Sequence, residues 1–128
     1  MPAFLTSEWL REAAELAHVL PKKPGLSATL QWHVDGEGRR PDVIFYLVME
    51  DGQPVELGVG HAKAADVSLF STYRKEIEIL RMRRDLGDML RTGDIGLSGD
   101  VTKALSLEPV LKSHEFRQWR KALAAITD

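Results

Sequence analysis

The sequence predicts an α+β fold: a single five-stranded, mainly antiparallel sheet covered by helices on one face. Three observations carry this. Apolar residues recur at helical spacing near the start and again through the last third of the chain. Between them the period falls to two, the spacing of a strand with one buried face. The strands follow one another through short turns before helices return, unlike the strand–helix–strand alternation of a parallel sheet. At 128 residues, 44% of them hydrophobic, the chain can bury one core and reads as one domain over residues 1–128.

The first helix lies in TSEWLREAAELAHVLP. Thr6 or Ser7 caps it, Glu8 suits its positive end, and Pro21 stops it. Trp9, Leu10, Ala13, Leu16, Ala17 and Leu20 form its apolar face. In SATLQWHV, Ala28, Leu30, Trp32 and Val34 alternate with polar residues, the pattern of a half-buried strand. DVIFYLVME is apolar on both faces, which suits a strand covered on both sides and leaves its inward set open. Asp51-Gly52 signals a hairpin, since both residues tolerate positive φ. It leads into QPVELGVG, where Val55, Leu57 and Val59 alternate. A fourth strand, DVSLFS, places Val67 and Leu69 on one face.

Helix returns in TYRKEIEILRMRR, with Tyr73, Ile77 and Leu80 on one face and Arg74, Lys75, Glu76 and Glu78 turned away. DLGDMLRTG is a short helix ending at Gly93, and DIGLSG is a fifth strand with Ile95 and Leu97 on the same side. Asp100 caps a helix through Val101, Ala104, Leu105 and Leu107, broken near Pro109. Ser113 opens the last helix, striped by Phe116, Trp119, Leu123 and Ile126.

Composition removes several function classes. With 17 basic and 19 acidic residues the net charge is −2, which argues against affinity built on many phosphate contacts, so no nucleic-acid partner is expected. Without cysteine there is no disulfide, thiolate metal site or cysteine nucleophile. His18, His33, His61 and His114 stand far apart in sequence with no His-x-x-x-His pair, so no metal and no cofactor are expected. The start MPAFLTSEW lacks the basic and apolar run of a signal peptide, and the end AITD is no peroxisomal address. No apolar stretch reaches membrane-spanning length, and a cytoplasmic location is expected.

The glycines of GDIGLSGDVTKALSL invite a phosphate-loop reading, but Gly93, Gly96 and Gly99 are spaced three and three. A dinucleotide loop needs Gly-x-Gly-x-x-Gly between strand and helix, and a phosphate loop needs Gly-Lys-Ser or Gly-Lys-Thr. Gly99 instead permits a tight turn and Asp100 caps the helix that follows.

The same stretch resembles the most recognisable segment of the type-2 sterol carrier protein family. That segment is a helix ending in a Phe-Met-x-Gly-like step, a short strand, then Gly-Asp and an apolar helix. Here Met89-Leu90-Arg91-Thr92-Gly93 occupies the first step, the spacing from Gly93 to Gly99-Asp100 matches, and ADVSL from Ala65 to Leu69 resembles the family's preceding strand. The resemblance implies a hydrophobic tunnel between sheet and helices, binding a sterol, fatty acid, fatty acyl-CoA or phospholipid without chemistry. It implies a lining from Leu30, Trp32, Leu57, Val59 and Leu69, from Leu97 and Leu105, and from Met89 and Leu90 at the helical wall. The last helix, with Phe116, Trp119 and Leu123, serves as a lid in this reading.

Two alternatives remain open at this level. A small enzyme using the same pocket would move protons with Tyr46 and Asp66, while a protein-interaction domain would have a fully packed core. The basic run RMRRD, with Arg74 and Lys75, reads as a solvated face paired with Glu76, Glu78 and Asp85, or at most as a transient contact with anionic lipid headgroups. Oligomeric state is not legible.

Overall fold

The computed structural model describes residues 3–20 and 22–127, so the expected stop at Pro21 lies outside the described residues. Helix α1 spans Ser7–Leu16 and opens at Thr6, whose hydroxyl accepts from the Trp9 N–H at 3.3 Å. A 3₁₀ turn, Ala17–Val19, follows it. Strands β1 (Ala28–Asp35), β2 (Val43–Glu50), β3 (Gln53–Val59) and β4 (Val67–Thr72) come next, then helices α2 (Tyr73–Leu80) and α3 (Leu86–Thr92). Strand β5 (Gly96–Gly99) precedes α4 (Val101–Ser106), α5 (Glu108–Leu111) and α6 (His114–Ala125). Short polar side chains cap these helices: Thr72 for α2, Asp85 for α3, Asp100 for α4 and Ser113 for α6. Pro109 falls in the first turn of α5, where its missing N–H costs nothing, so it starts a helix as well as following one.

The sheet order is β3-β2-β1-β4-β5. Strand β1 pairs antiparallel with β2 and parallel with β4, and the two outer pairings are antiparallel, so the sheet is mixed. Asp51 and Gly52, at φ 49° and 83°, form the β2–β3 hairpin. The inner face carries Leu30, Trp32, Val34, Phe45, Leu47, Val67 and Leu69, all buried under the helices.

Three sequence expectations are corrected. Strand β2 is covered on one face: Phe45, Leu47 and Met49 are buried while Ile44, Tyr46 and Val48 stay half-exposed on the outer face. Val55, Leu57 and Val59 do not form one inward row. Val48 pairs with Glu56 and Met49 with Pro54, so Val55 is the extra residue of a bulge and is exposed. In α2 it is Glu76, not Ile77, that shares the buried face with Leu80.

From the end of β3 the chain must cross to the far side of β1, and Gln31 is the polar residue that permits the crossing. Its side-chain amide donates to the carbonyls of Phe45 (2.8 Å) and Gly60 (3.0 Å), and its oxygen accepts from the Ala62 N–H (2.8 Å). These bonds explain a buried glutamine on the outer face of a central strand.

The crossing ends at Asp66. Its carboxylate accepts from the Thr29 N–H at 2.8 Å and pairs with Lys103 Nζ at 3.0 Å, while its carbonyl accepts from the Asp100 N–H at 2.8 Å. Gly99 sits against that carbonyl at φ +105°, and a Cβ there would lie 2.4 Å from the Asp66 oxygen. Gly99→Ala therefore strains the backbone and breaks a close contact, with an expected loss of about 2–3 kcal/mol. Urea denaturation with an unchanged slope checks it.

Candidate functional site

A cavity of about 150 Å³ lies between the inner sheet face and the helices. Its floor is the sheet, where Trp32 and Phe45 stack with ring centroids 5.2 Å apart and planes within 7°. Its roof is assembled from Leu10 and Ala13 of α1, Leu80 of α2, Ala104 of α4, and Val110 of α5. Helix α6 closes it with Phe116, Trp119 and Leu123. This helix is cross-linked to its neighbours: Trp119 Nε1 donates to the Ala13 carbonyl at 3.0 Å, and Arg120 donates to the Ile79 carbonyl at 2.8 Å.

The structure brings nine of the twelve expected lining residues to this cavity: Leu30, Trp32, Leu57, Leu69, Leu90, Leu97, Phe116, Trp119 and Leu123. Leu97, at 36% exposure, is the most exposed of them. The other three lie elsewhere. Val59 ends the edge strand beyond the helical cover and is 57% exposed. Met89 is buried but off the wall, one helical step from Leu90, which is on it. Leu105 is 64% exposed because α4 turns Ala104 to the cavity, and the next residue falls about 100° further round the helix.

Sequence reasoning missed the two polar members of the wall. Glu76 is 8% exposed, and among the described residues its carboxylate accepts a single hydrogen bond, from the Ser71 hydroxyl at 3.1 Å. Burial pushes its carboxyl up to about 7, against a smaller lowering by Ser71. Arg120 is 9% exposed; it donates also to the Arg84 carbonyl at 3.0 Å and stands 3.8 Å from an Asp85 oxygen. Burial lowers its pKa from the ordinary guanidinium value, with Asp85 opposing. Both fall at helical spacing from apolar wall residues, Glu76 from Leu80 and Arg120 from Phe116 and Leu123, which was the available signal.

The residues proposed for proton transfer are not on the cavity wall. Tyr46 lies on the outer sheet face over Gly58, and burial followed by the Glu56 charge raises its phenol pKa. Asp66 is held below the ordinary carboxylate range, chiefly by the Thr29 N–H and then by Lys103, as a structural clip. His33 and His61, far apart in sequence, are neighbours on the outer face with ring centroids 5.9 Å apart. Among the described residues no group of three or more His, Asp or Glu side chains could hold a metal.

The basic run is solvated in part as expected: Arg84 pairs with Glu78 and Asp94, and Lys75 donates to the Asp94 carbonyl. Glu76 is not one of its partners, being buried, and Asp85 faces Arg120. No helix is long and apolar enough to cross a membrane among the described residues.

No family model matches the chain, and no curated protein matches it by sequence. Solved structures do match. A crystal structure of sterol carrier protein 2 superposes with a TM-score of 0.67 at 16% identity, over 94% of this chain and 97% of that one. The palmitated sterol carrier protein 2-like 2 of Aedes aegypti gives 0.62 at 18%, over 86% and 93%. A stereoselective inverting sec-alkylsulfatase from a Pseudomonas species gives 0.54 at 27%, over 77% of this chain and 15% of that one. The chain has the sterol carrier protein 2 fold.

Glu76 gives stability a pH dependence of definite sign. Its pKa is raised from 4.5 to about 7, so the folded state holds a proton that the unfolded state has lost between those values. Stability then falls as pH rises through that window, by up to about 1.4 kcal/mol per pH unit, and is lowest above it. Thermal melts from pH 5 to 8 should show the fall, and Glu76→Gln should flatten it and melt higher than wild type at the alkaline end.

Proposed function

We propose, from a fold shared with sterol carrier protein 2, that this chain binds a hydrophobic ligand in its internal cavity and carries it without chemical change. The observation that carries the reading is the cavity itself, a void of about 150 Å³ whose wall is apolar apart from Glu76 and Arg120. Filling it with an alkyl chain removes apolar surface from water at roughly 25 cal/mol per Å², less the ordering cost of association. A sterol, fatty acid, fatty acyl-CoA or phospholipid would each supply such surface. The palmitated mosquito protein supports a fatty chain as occupant. The alkylsulfatase segment supports it independently, since there the architecture accompanies an enzyme of alkyl sulfates. A single-domain carrier acting in the cytoplasm, with at most transient membrane contact, belongs to the same proposal.

The void is small for this task. An engineered cavity of about 150 Å³ in another protein accommodates benzene. A long chain or a sterol therefore requires the roof to shift. Helix α4 is the segment suited to that movement, because none of its residues is fully buried and Asp66 holds it only at Asp100 and Lys103, leaving its far end to swing.

Native mass spectrometry of the purified protein, with organic extraction, tests the reading directly. A lipid bound at one per chain is the expected result. An apo mass unchanged by fatty acids and sterols would show a packed core and leave a protein-interaction domain. Ala104→Phe, which fills the void from α4, should weaken uptake at least about tenfold, the equivalent of about 1.4 kcal/mol. Leu105→Asp, on the exposed side of the same helix, should bind as wild type and change stability by less than about 0.5 kcal/mol.

A further inference from the structure

The cavity wall is polar at one seam, where α2 and α6 meet, and that seam holds an arginine with unused hydrogen-bonding capacity. One terminal nitrogen of Arg120 donates to the carbonyls of Ile79 and Arg84, and the other faces Asp85. Its Nε is buried and has no acceptor among the described residues. A charged N–H left unpaired in an apolar wall is costly, and folded proteins seldom keep one unless a water, ion or ligand supplies the acceptor. The nearby carboxylates do not supply it. Asp85 approaches the terminal nitrogen and also accepts from the Asp88 N–H as the cap of α3, while Glu76 accepts from Ser71.

We propose that Arg120 anchors the headgroup of the ligand: it receives the acidic head, carboxylate or sulfate, of a single-chain amphiphile whose tail lies in the cavity. The inference rests on the carrier reading above and narrows it. An oxyanion answers both deficits at this seam, accepting from the free Nε–H and balancing a guanidinium removed from water. A hydroxyl head accepts the hydrogen bond but brings no charge. Arg120 therefore selects acids over alcohols of equal apolar area, and it selects against a sterol, whose polar end is a neutral hydroxyl.

The test uses one tail and three heads: octanoate, octyl sulfate and octanol, titrated into the full chain at a single pH. Calorimetry should show the acids binding about 10- to 100-fold more tightly than octanol, the range of a charge-assisted hydrogen bond. Octanoate against octyl sulfate separates the two acidic sources. The Arg120 Nε–H signal in a nitrogen–proton NMR spectrum should move further with an acid bound than with octanol. Arg120→Gln should weaken the acids far more than octanol and so abolish the preference for an acidic head. If that variant does not fold, the wild-type ratio and the Nε–H signal still decide. Octanol binding as tightly as both acids, or an Nε–H signal unmoved by either bound acid, overturns the anchor while leaving the carrier intact. Failure of all three to bind overturns the carrier reading and the anchor with it.

Discussion

The architecture depends on the contacts made by Asp66. Backbone and side chain together bind Thr29 of β1, the Asp100 amide and the Lys103 ammonium, so one residue ties the centre of the sheet to its far edge and to the helix beyond. The Asp66 N–H donates to the Thr29 carbonyl at 2.9 Å, immediately before the parallel register in which Leu30 faces Val67. A slip of one residue there would turn Val67 and Leu69 to the outer face and bring Ser68 and Phe70 inward. The cavity floor is thus a consequence of where the crossing loop lands. Gln31 holds the start of that loop and Asp66 its end.

The regular elements were legible because each rests on local chemistry. Period-two alternation in β1 and β4 fixed their inward sets, and hydroxyl or carboxylate side chains at Thr6, Asp100 and Ser113 marked helix starts. The errors arise where a non-local contact outweighs the local pattern. Nothing near Val55 announces that the ladder gains a residue there, since the bulge is a property of the β2–β3 pair. In α2 the phase is settled by what packs above it, and an acidic residue takes a buried position that Ile77 would have filled on hydrophobicity alone. The parallel β1–β4 pairing was likewise invisible, because parallel and antiparallel neighbours carry the same alternation.

Alternation and helical stripes made the site legible as a set of apolar residues, and only the family resemblance made it legible as a void. Nine lining positions follow from strand alternation and helical stripes, yet the same patterns would fill a solid core. The polar seam between α2 and α6 needed the assembled structure, since Glu76 and Arg120 are 44 positions apart in sequence and meet the same wall from different helices. A buried hydrogen bond from Trp119 to Ala13 joins α6 to α1, and Trp9 of α1 donates to Thr127 just beyond α6. The roof is therefore firm on that side, while α4 buries none of its residues fully.

The two margins of the sheet differ from its interior in another respect. At one, β3 carries Pro54, which lacks a backbone N–H, next to the bulge at Val55. At the other, β5 is four residues long and has glycine at both ends. Each margin is a poor template for further strand pairing, since one is interrupted and the other is short. A chain that leaves valine and phenylalanine side chains exposed on its sheet thus offers no long, regular edge along which copies could pair into fibrils.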